Sequence, residues 1–432
     1  MISSSFLKPR QNDAFETKAN EPVNTQLLMD PQPAGRFRAL FILSICIVLS
    51  MTTWFSATAV IPKLQTVWNL TPTLSAWLTI GVQLGFVIGA IGSSIVSLSD
   101  IVSSKKLMVY GSIGAAAANL GLLLAESAYL AILFRLMTGG FLALVYPPSL
   151  KLISTWFRRG RGLAIGALVG SITLGAAAPH FINAIGGLGW ELVVVSTTLA
   201  TLSGAFIIGL FVHEGPFPYP RAPFHLGRIG HVFKNRGVLL ASVGYFGHMW
   251  ELYAMWAWFL TFSRMAFIEL NIDNPSAASF FTFAAIGIGA LGCVVGGILG
   301  DRWGRTATTS LMMCISGSCA LLAGFVYDGP LWMLIALGLI WGFTVIADSA
   351  QFSTIVTELS DPMYVGTALT VQLGIGFMLT VVTIWLLPLA AANLNSWQWV
   401  FLILIPGPLI GTCVMLFLRR MPEAIKIANG NR

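Results

Sequence analysis

Runs of about twenty apolar residues, separated by short polar breaks, recur along the whole chain. That is the length of helix needed to cross a hydrocarbon core of roughly 30 Å. The pattern predicts twelve helical spans, at 39–62, 74–97, 107–125, 128–150, 162–186, 191–212, 238–262, 277–299, 307–327, 331–357, 365–390 and 397–418. They are called spans 1 to 12 below, and they imply an all-α polytopic membrane protein. Composition agrees: the 432 residues are 56% hydrophobic and 9% charged, with a mean hydropathy of +0.81. A soluble chain of this length needs a far more polar surface. Residues 1–35 are polar and carry charges of both signs, unlike a cleavable signal peptide, so span 1 is expected to be retained.

Charge then sets orientation. An even number of spans puts both ends on one side, and every Lys and Arg except Lys63, Arg135 and Arg264 falls on that side. The positive-inside rule makes it the cytoplasm. The expected organisation is a cytoplasmic tail (1–38), a six-helix bundle (39–212), a cytoplasmic central loop rich in proline and basic residues (213–237), a second bundle (238–418) and a cytoplasmic tail (419–432). The net charge of +7 is this topology signal in bulk and calls for no nucleic acid. Cys46, Cys293, Cys314, Cys319 and Cys413 lie in spans without metal-type spacing and read as small buried hydrophobes.

Paired landmarks suggest an internal repeat. Trp54 matches Trp250, Asp100 matches Asp301, RGLA at 161–164 matches VGTA at 365–368, and Trp190-Glu191 matches Trp397-Gln398. The offsets grow steadily along the chain, as loop insertions would produce. The second half carries GILGDRWGR at 297–305 after span 8, and the first half carries a worn copy, DIVSSKK at 100–106. Span 4 holds RLMTG at 135–139 and leads into YPPSLKLISTWFRRGRGLA at 146–164. In these features the chain resembles the major facilitator superfamily over residues 36–420. The resemblance implies two pseudo-symmetric six-helix bundles, a central cavity lined by spans 1, 4, 7 and 10, and a conformational latch at Asp301, Arg302, Arg305 and Asp100. A carboxylate at such a helix end can pair with a base and accept from a neighbouring helix N-terminus.

An ionisable residue inside a span is a functional candidate by default. The deep ones are Arg135, His248, Glu251 and Asp348, with Lys151 near one end of span 4. Glu251 lies about 13 residues into span 7, roughly 20 Å at 1.5 Å per residue, close to mid-membrane. His248 shares its face one turn away, so the expectation is that it tunes Glu251. A carboxyl group poised between its two protonation states is what proton coupling requires. Glu251, His248 and Asp348 are therefore the proton-coupling candidates, and Arg135, Trp54, Trp250, Tyr253 and Gln351 the candidates for lining a substrate cavity. Trp256 and Trp258 read as an interfacial aromatic belt. His180 and Asn183 in PHFIN at 179–183 read as water-exposed near the far end of span 5.

Other signals carry no site. GIGALG at 287–292 matches a dinucleotide fingerprint, but without a preceding strand. Gly292, Gly296 and Gly300, like Gly81, Gly85 and Gly89, have the spacing that lets membrane helices approach. Gly166, Gly175 and Pro179 only partly match the antiporter signature of span 5. The sequence thus points to a non-enzymatic secondary transporter of a small organic solute, a proton-coupled symporter of the cell inner membrane. It is expected to need no cofactor or metal and to work as a monomer in the lipid bilayer with protons and solute as partners. The alternatives are a proton-coupled exporter of amphipathic compounds and a transporter-like sensor.

Overall fold

The computed structural model describes residues 33–432 apart from 159, 187–188, 219–226, 228 and 362. Most of the N-terminal tail and much of the central loop, with Lys8, Arg10, Lys18, Arg159, Arg221 and Arg228, lie outside the described residues. Every regular element among the described residues is helical. Ten helices are long and apolar enough to cross a membrane, and they coincide with ten of the twelve expected spans: Pro72–Ile95, Ser104–Leu124, Ala128–Ser154, Arg161–Ile185, Trp190–Phe211, Pro275–Trp303, Arg305–Val326, Leu331–Leu359, Val365–Leu394 and Val400–Arg420. Large apolar side chains such as Leu124, Phe206, Leu291 and Phe325 stand exposed on their outer faces, as lipid-facing residues do.

Spans 1 and 7 depart from that type in opposite ways. Span 1 is interrupted: a helix Arg36–Met51 ends, a non-helical stretch follows, and a short turn Thr58–Val60 leads into Ile61–Val67. Its interruption holds no glycine or proline. Instead Thr52, Thr53 and Ser56 turn their hydroxyls back onto the carbonyls of Leu49, Ser50 and Thr53, the competition with helical bonding that Ser and Thr offer. Span 7 is one continuous helix, Arg236–Glu269, of 34 residues, about 50 Å long. Tyr, Trp, His and Glu residues dilute its hydropathy.

Helix starts follow local chemistry. Thr71, Ser127, Asn235 and Asn274 each accept from a backbone N–H three residues on, satisfying groups the first turn leaves open. Gly304, at φ +98°, is the sole residue between Gly289–Trp303 and Arg305–Val326, a turn that needs a left-handed conformation.

Span 2 packs along span 4, and span 8 along span 10. A side chain at Gly85 would strike the backbone of Leu136, and one at Gly292 or Gly296 would strike that of Phe343 or Ala347. The glycine rows are thus surfaces of close helix approach, and the GIGALG match is one of them. Spans 2 and 11, and spans 5 and 8, join the halves.

The junction is closed at both ends. On the face that carries Gly35 and Arg432, the carboxylate of Asp301 rests on Gly162 in the first turn of span 5, where an added Cβ would lie 2.7 Å from Oδ2. On the same side Ser94 and Thr370 join spans 2 and 11 at 3.3 Å. At the opposite end Asn183 donates to the Ala59 carbonyl at 3.0 Å and to Ser279 at 2.9 Å, beside Phe181 and Phe283 with ring centroids 4.9 Å apart.

Several expectations are corrected. His180 is fully buried and Asn183 half-buried, because both lie where span 5 meets the other half. Trp256 and Trp258 are each 1% exposed, and Trp258 donates to the Ile384 carbonyl, so they are core rather than belt. Cys314 and Cys413 are exposed, while Cys46, Cys293 and Cys319 are buried.

Candidate functional site

Between the two closures, aromatic rings from both halves fill the junction. The interrupted stretch of span 1 supplies Trp54 and Phe55, span 2 supplies Phe86, span 7 supplies Tyr253 and Trp256, and span 11 supplies Phe377. Trp54 stacks on Tyr253 at 5.9 Å and 26°. It also lies 5.0 Å from Phe86 and 6.0 Å from Phe377. Phe86 and Phe377 meet across the junction at 4.7 Å. All six rings are buried.

A polar knot flanks this core in each half. In the first half, Arg135 is fully buried and reaches the interruption of span 1. Its guanidinium donates to the carbonyls of Thr53 (2.9 Å) and Trp54, to the Leu78 carbonyl (3.3 Å), to Ser56 (3.1 Å) and to the Asn119 side chain (3.3 Å). Asn119 in turn donates to the Val194 carbonyl, Thr197 and Thr198 of span 6. A planar fork with five donors suits this task, because a broken helix presents several acceptors at once. In the second half, Glu251 accepts from the Trp341 indole at 2.7 Å and from Ser316 at 2.8 Å. Those partners lie on spans 10 and 9.

His248 looks elsewhere. Its Nδ1 lies 2.9 Å from Asp348 Oδ1, both side chains being 2% exposed. The pair is at ionic distance without hydrogen-bond geometry, since Asp348 Oδ1 has no hydrogen-bond partner, and the other ring nitrogen, His248 Nε2, has none either. Asp348 occupies the break of span 10 between Leu331–Thr344 and Ser349–Leu359. Although His248 and Glu251 share a helix, they engage different partners.

A third cluster lies beneath, at the face bearing the termini. Arg305 donates to both oxygens of Glu358 at 3.0–3.1 Å and to Gln351 at 2.9 Å, and it lies 3.3 Å from Asp301. Gln351 also donates to the Gly296 carbonyl. The C-terminal segment Pro422–Gly430 folds back onto this cluster: the Ala428 N–H donates to Glu358 and the Asn431 side chain to the Asp301 carbonyl. Arg302 is exposed. In the first half Lys151 holds Asp100 at 3.0 Å and the Ser99 carbonyl at 2.6 Å.

Of the residues singled out in the sequence, Trp54 and Tyr253 therefore meet in the central core. Arg135 lies behind it with its donors engaged by protein acceptors. Trp250 turns to span 12, donating to the Ile403 carbonyl, and Gln351 belongs to the Arg305 cluster. Gln83, Phe86, Asn119, Ser316, Trp341, Glu358 and Phe377 had no place in the sequence reading. Gln83 and Asn119 had a usable signal, since an amide inside an apolar span needs partners as an ionised group does. Phe86 and Phe377 had none, being two rings among 28 phenylalanines.

Solved structures share this architecture. The bacterial homolog of the human lysosomal transporter Spinster aligns in its inward-facing occupied conformation with a TM-score of 0.67 and 14% identity, over 90% of this chain and 98% of that one. Its inward-facing unoccupied conformation aligns with a TM-score of 0.61 and 16% identity, over 90% and 95%. Curated relatives include the MFS transporter asaE of Aspergillus flavus, 24% identical over 52% of this chain and 50% of the relative. The MFS-type transporter pytF of Aspergillus terreus is 27% identical over 48% and 69%. A putative proline/betaine transporter of Staphylococcus haemolyticus is 29% identical over 30% and 31%. The chain spans about half the length of the first of these. The family model of the Major Facilitator Superfamily matches residues 43–268, more than half of a chain whose helices, repeat and loop motif have the same character, and the chain belongs to that superfamily.

Proposed function

We propose that the chain is a secondary transporter that moves a small organic solute across the cell inner membrane by alternating access, in symport with protons. The observation that carries this reading is a junction between two helical halves, closed at both ends around a buried core, with titratable side chains at its edge. The names of the curated relatives support transport in general terms. The two closures fit the two gates that alternating access requires. Asp301, Arg305 and Glu358, next to Arg302, would latch the cytoplasmic gate, with Asp100 and Lys151 as the corresponding pair of the first half.

Glu251 is the proposed proton carrier. Trp341 can only donate, whereas the Ser316 hydroxyl can donate or accept. Rotation of that hydroxyl lets the same pocket hold a carboxylate or a carboxylic acid without leaving a polar atom open. His248 and Asp348 form the second titratable element.

The test is reconstitution into liposomes with an imposed proton gradient and a panel of labelled solutes. Accumulation of a chemically unchanged solute, driven by the gradient, is expected. Glu251→Gln is expected to lose proton-driven accumulation while keeping solute exchange. Full accumulation by that variant would remove Glu251 from the mechanism.

A further inference from the structure

One wall of the aromatic core carries hydrogen-bonding groups that the protein itself does not use. Gln83 is fully buried, and neither its amide nitrogen nor its carbonyl oxygen has a partner. Its direction follows from its neighbours on the same helix. Thr79, one turn earlier, meets Thr58 of span 1 at 2.8 Å. Phe86, about one turn later, packs on Trp54. Gln83 lies between them on that face and so addresses the interrupted stretch of span 1. The Trp54 indole N–H, from that stretch, is also buried without an acceptor. Roughly nine in ten buried polar groups are paired in folded proteins, so an open amide and an open indole donor on one wall point to a ligand.

The charge inventory narrows its nature. Arg135 is engaged by carbonyls and Glu251 by two donors, while His248 and Asp348 stand at ionic distance from each other on spans 7 and 10 of the second half. The rings that line the core carry no charge, so a charged solute there would have no ionic partner in direct contact. Ring faces attract cations, but that attraction does not offset removing a full charge from water without an ionic partner. Shape narrows it further. Trp54 and Tyr253, and Phe86 and Phe377, are pairs contributed by opposite halves, inclined at 26° and 35°. A flat ring can enter between such rings as the halves part, replacing one ring contact with two.

We propose that the solute is a flat, uncharged molecule with a carboxamide or ring-lactam edge. Its ring lies between aromatic side chains of the two halves, its edge pairs in two hydrogen bonds with the Gln83 amide, and its carbonyl also accepts from Trp54 Nε1. A glutamine amide reads a flat donor–acceptor edge in this bidentate way. The proposal rests on the transport reading and deepens it.

Three probes sharing one phenyl ring test it on the purified full chain: benzamide, benzoate and benzyltrimethylammonium, titrated by tryptophan fluorescence and thermal shift. Benzamide is expected to bind at least about tenfold more tightly than either ion. Gln83→Leu is expected to weaken benzamide about tenfold, as loss of a hydrogen-bonded edge does. Trp54→Phe, which keeps a ring and removes the N–H, is expected to weaken it less. The melting temperature of the unliganded variants reports folding. Equal or tighter binding of either ion, no binding of any probe, or indifference of benzamide to both substitutions would overturn the proposal. Liposome uptake separates the two readings. Benzamide bound but never moved counts against transport, whereas proton-driven movement of a charged solute alone counts against the uncharged class.

Discussion

In the first half a helix breaks and an arginine gathers the exposed carbonyls; in the second, the helix in the matching position runs unbroken and a glutamate takes two donors from its neighbours. Both knots join the first, third and fourth spans of their half, 1 with 3 and 4 and 7 with 9 and 10, and the first also takes in spans 2 and 6. Their chemistry is opposite because the needs of their backbones are opposite. An interrupted helix leaves acceptors without helical donors, which a donor-rich side chain can satisfy several at a time. A continuous helix makes no such demand. The first knot is fixed by its acceptors, and the second is where the proposed proton exchange would take place.

That contrast can be broken most directly at Arg135. Arg135→Leu leaves the carbonyls of Thr53, Trp54 and Leu78 buried without their donor, at about 1–3 kcal/mol each. A loss of at least about 3 kcal/mol in thermal or denaturant unfolding is expected, with little folded protein recovered. Glu251→Leu leaves the Trp341 N–H open while Ser316 keeps the Met313 carbonyl, and is expected to cost about 2 kcal/mol; a cost matching that of Arg135→Leu would erase the distinction. Trp341→Phe removes one donor and keeps a ring, for about 1 kcal/mol by the same measurement. Glu251→Gln keeps an acceptor for Trp341 and is expected to change stability by less than about 1 kcal/mol, while the proton dependence of uptake is lost.

The sequence made the helices legible because hydropathy and length are properties of single segments. The spans at 74–97 and 365–390 needed only small shifts of their ends. The break at 52–57 was visible only as a cluster of Ser and Thr around Trp54, without the glycine or proline that usually marks one. Ionisable candidates were also legible, since any charge in an apolar run stands out. Their partners were not: Glu251 meets Ser316 and Trp341, and Arg305 meets Glu358, through contacts that helical periodicity within one span cannot encode. The expected coupling of His248 to Glu251 came from periodicity alone. In the structure both side chains reach span 10 but meet different residues there, His248 meeting Asp348 and Glu251 meeting Trp341.

The two closures of the junction differ in kind. At the face bearing the termini, Asp301 against the start of span 5 is a charge facing a helix end, with its side chain 44% exposed. At the opposite end, Asn183 makes neutral hydrogen bonds to Ala59 and Ser279. Dissolved salt screens the first and leaves the second nearly untouched. Ionic strength is therefore a one-sided handle: a rise from low to high salt should increase labelling of a cysteine placed near Gly162 more than of one placed near Asn183. With that face in the cytoplasm, as proposed, a cell that changes its internal ion content would shift the balance of open faces without any change in the solute carried.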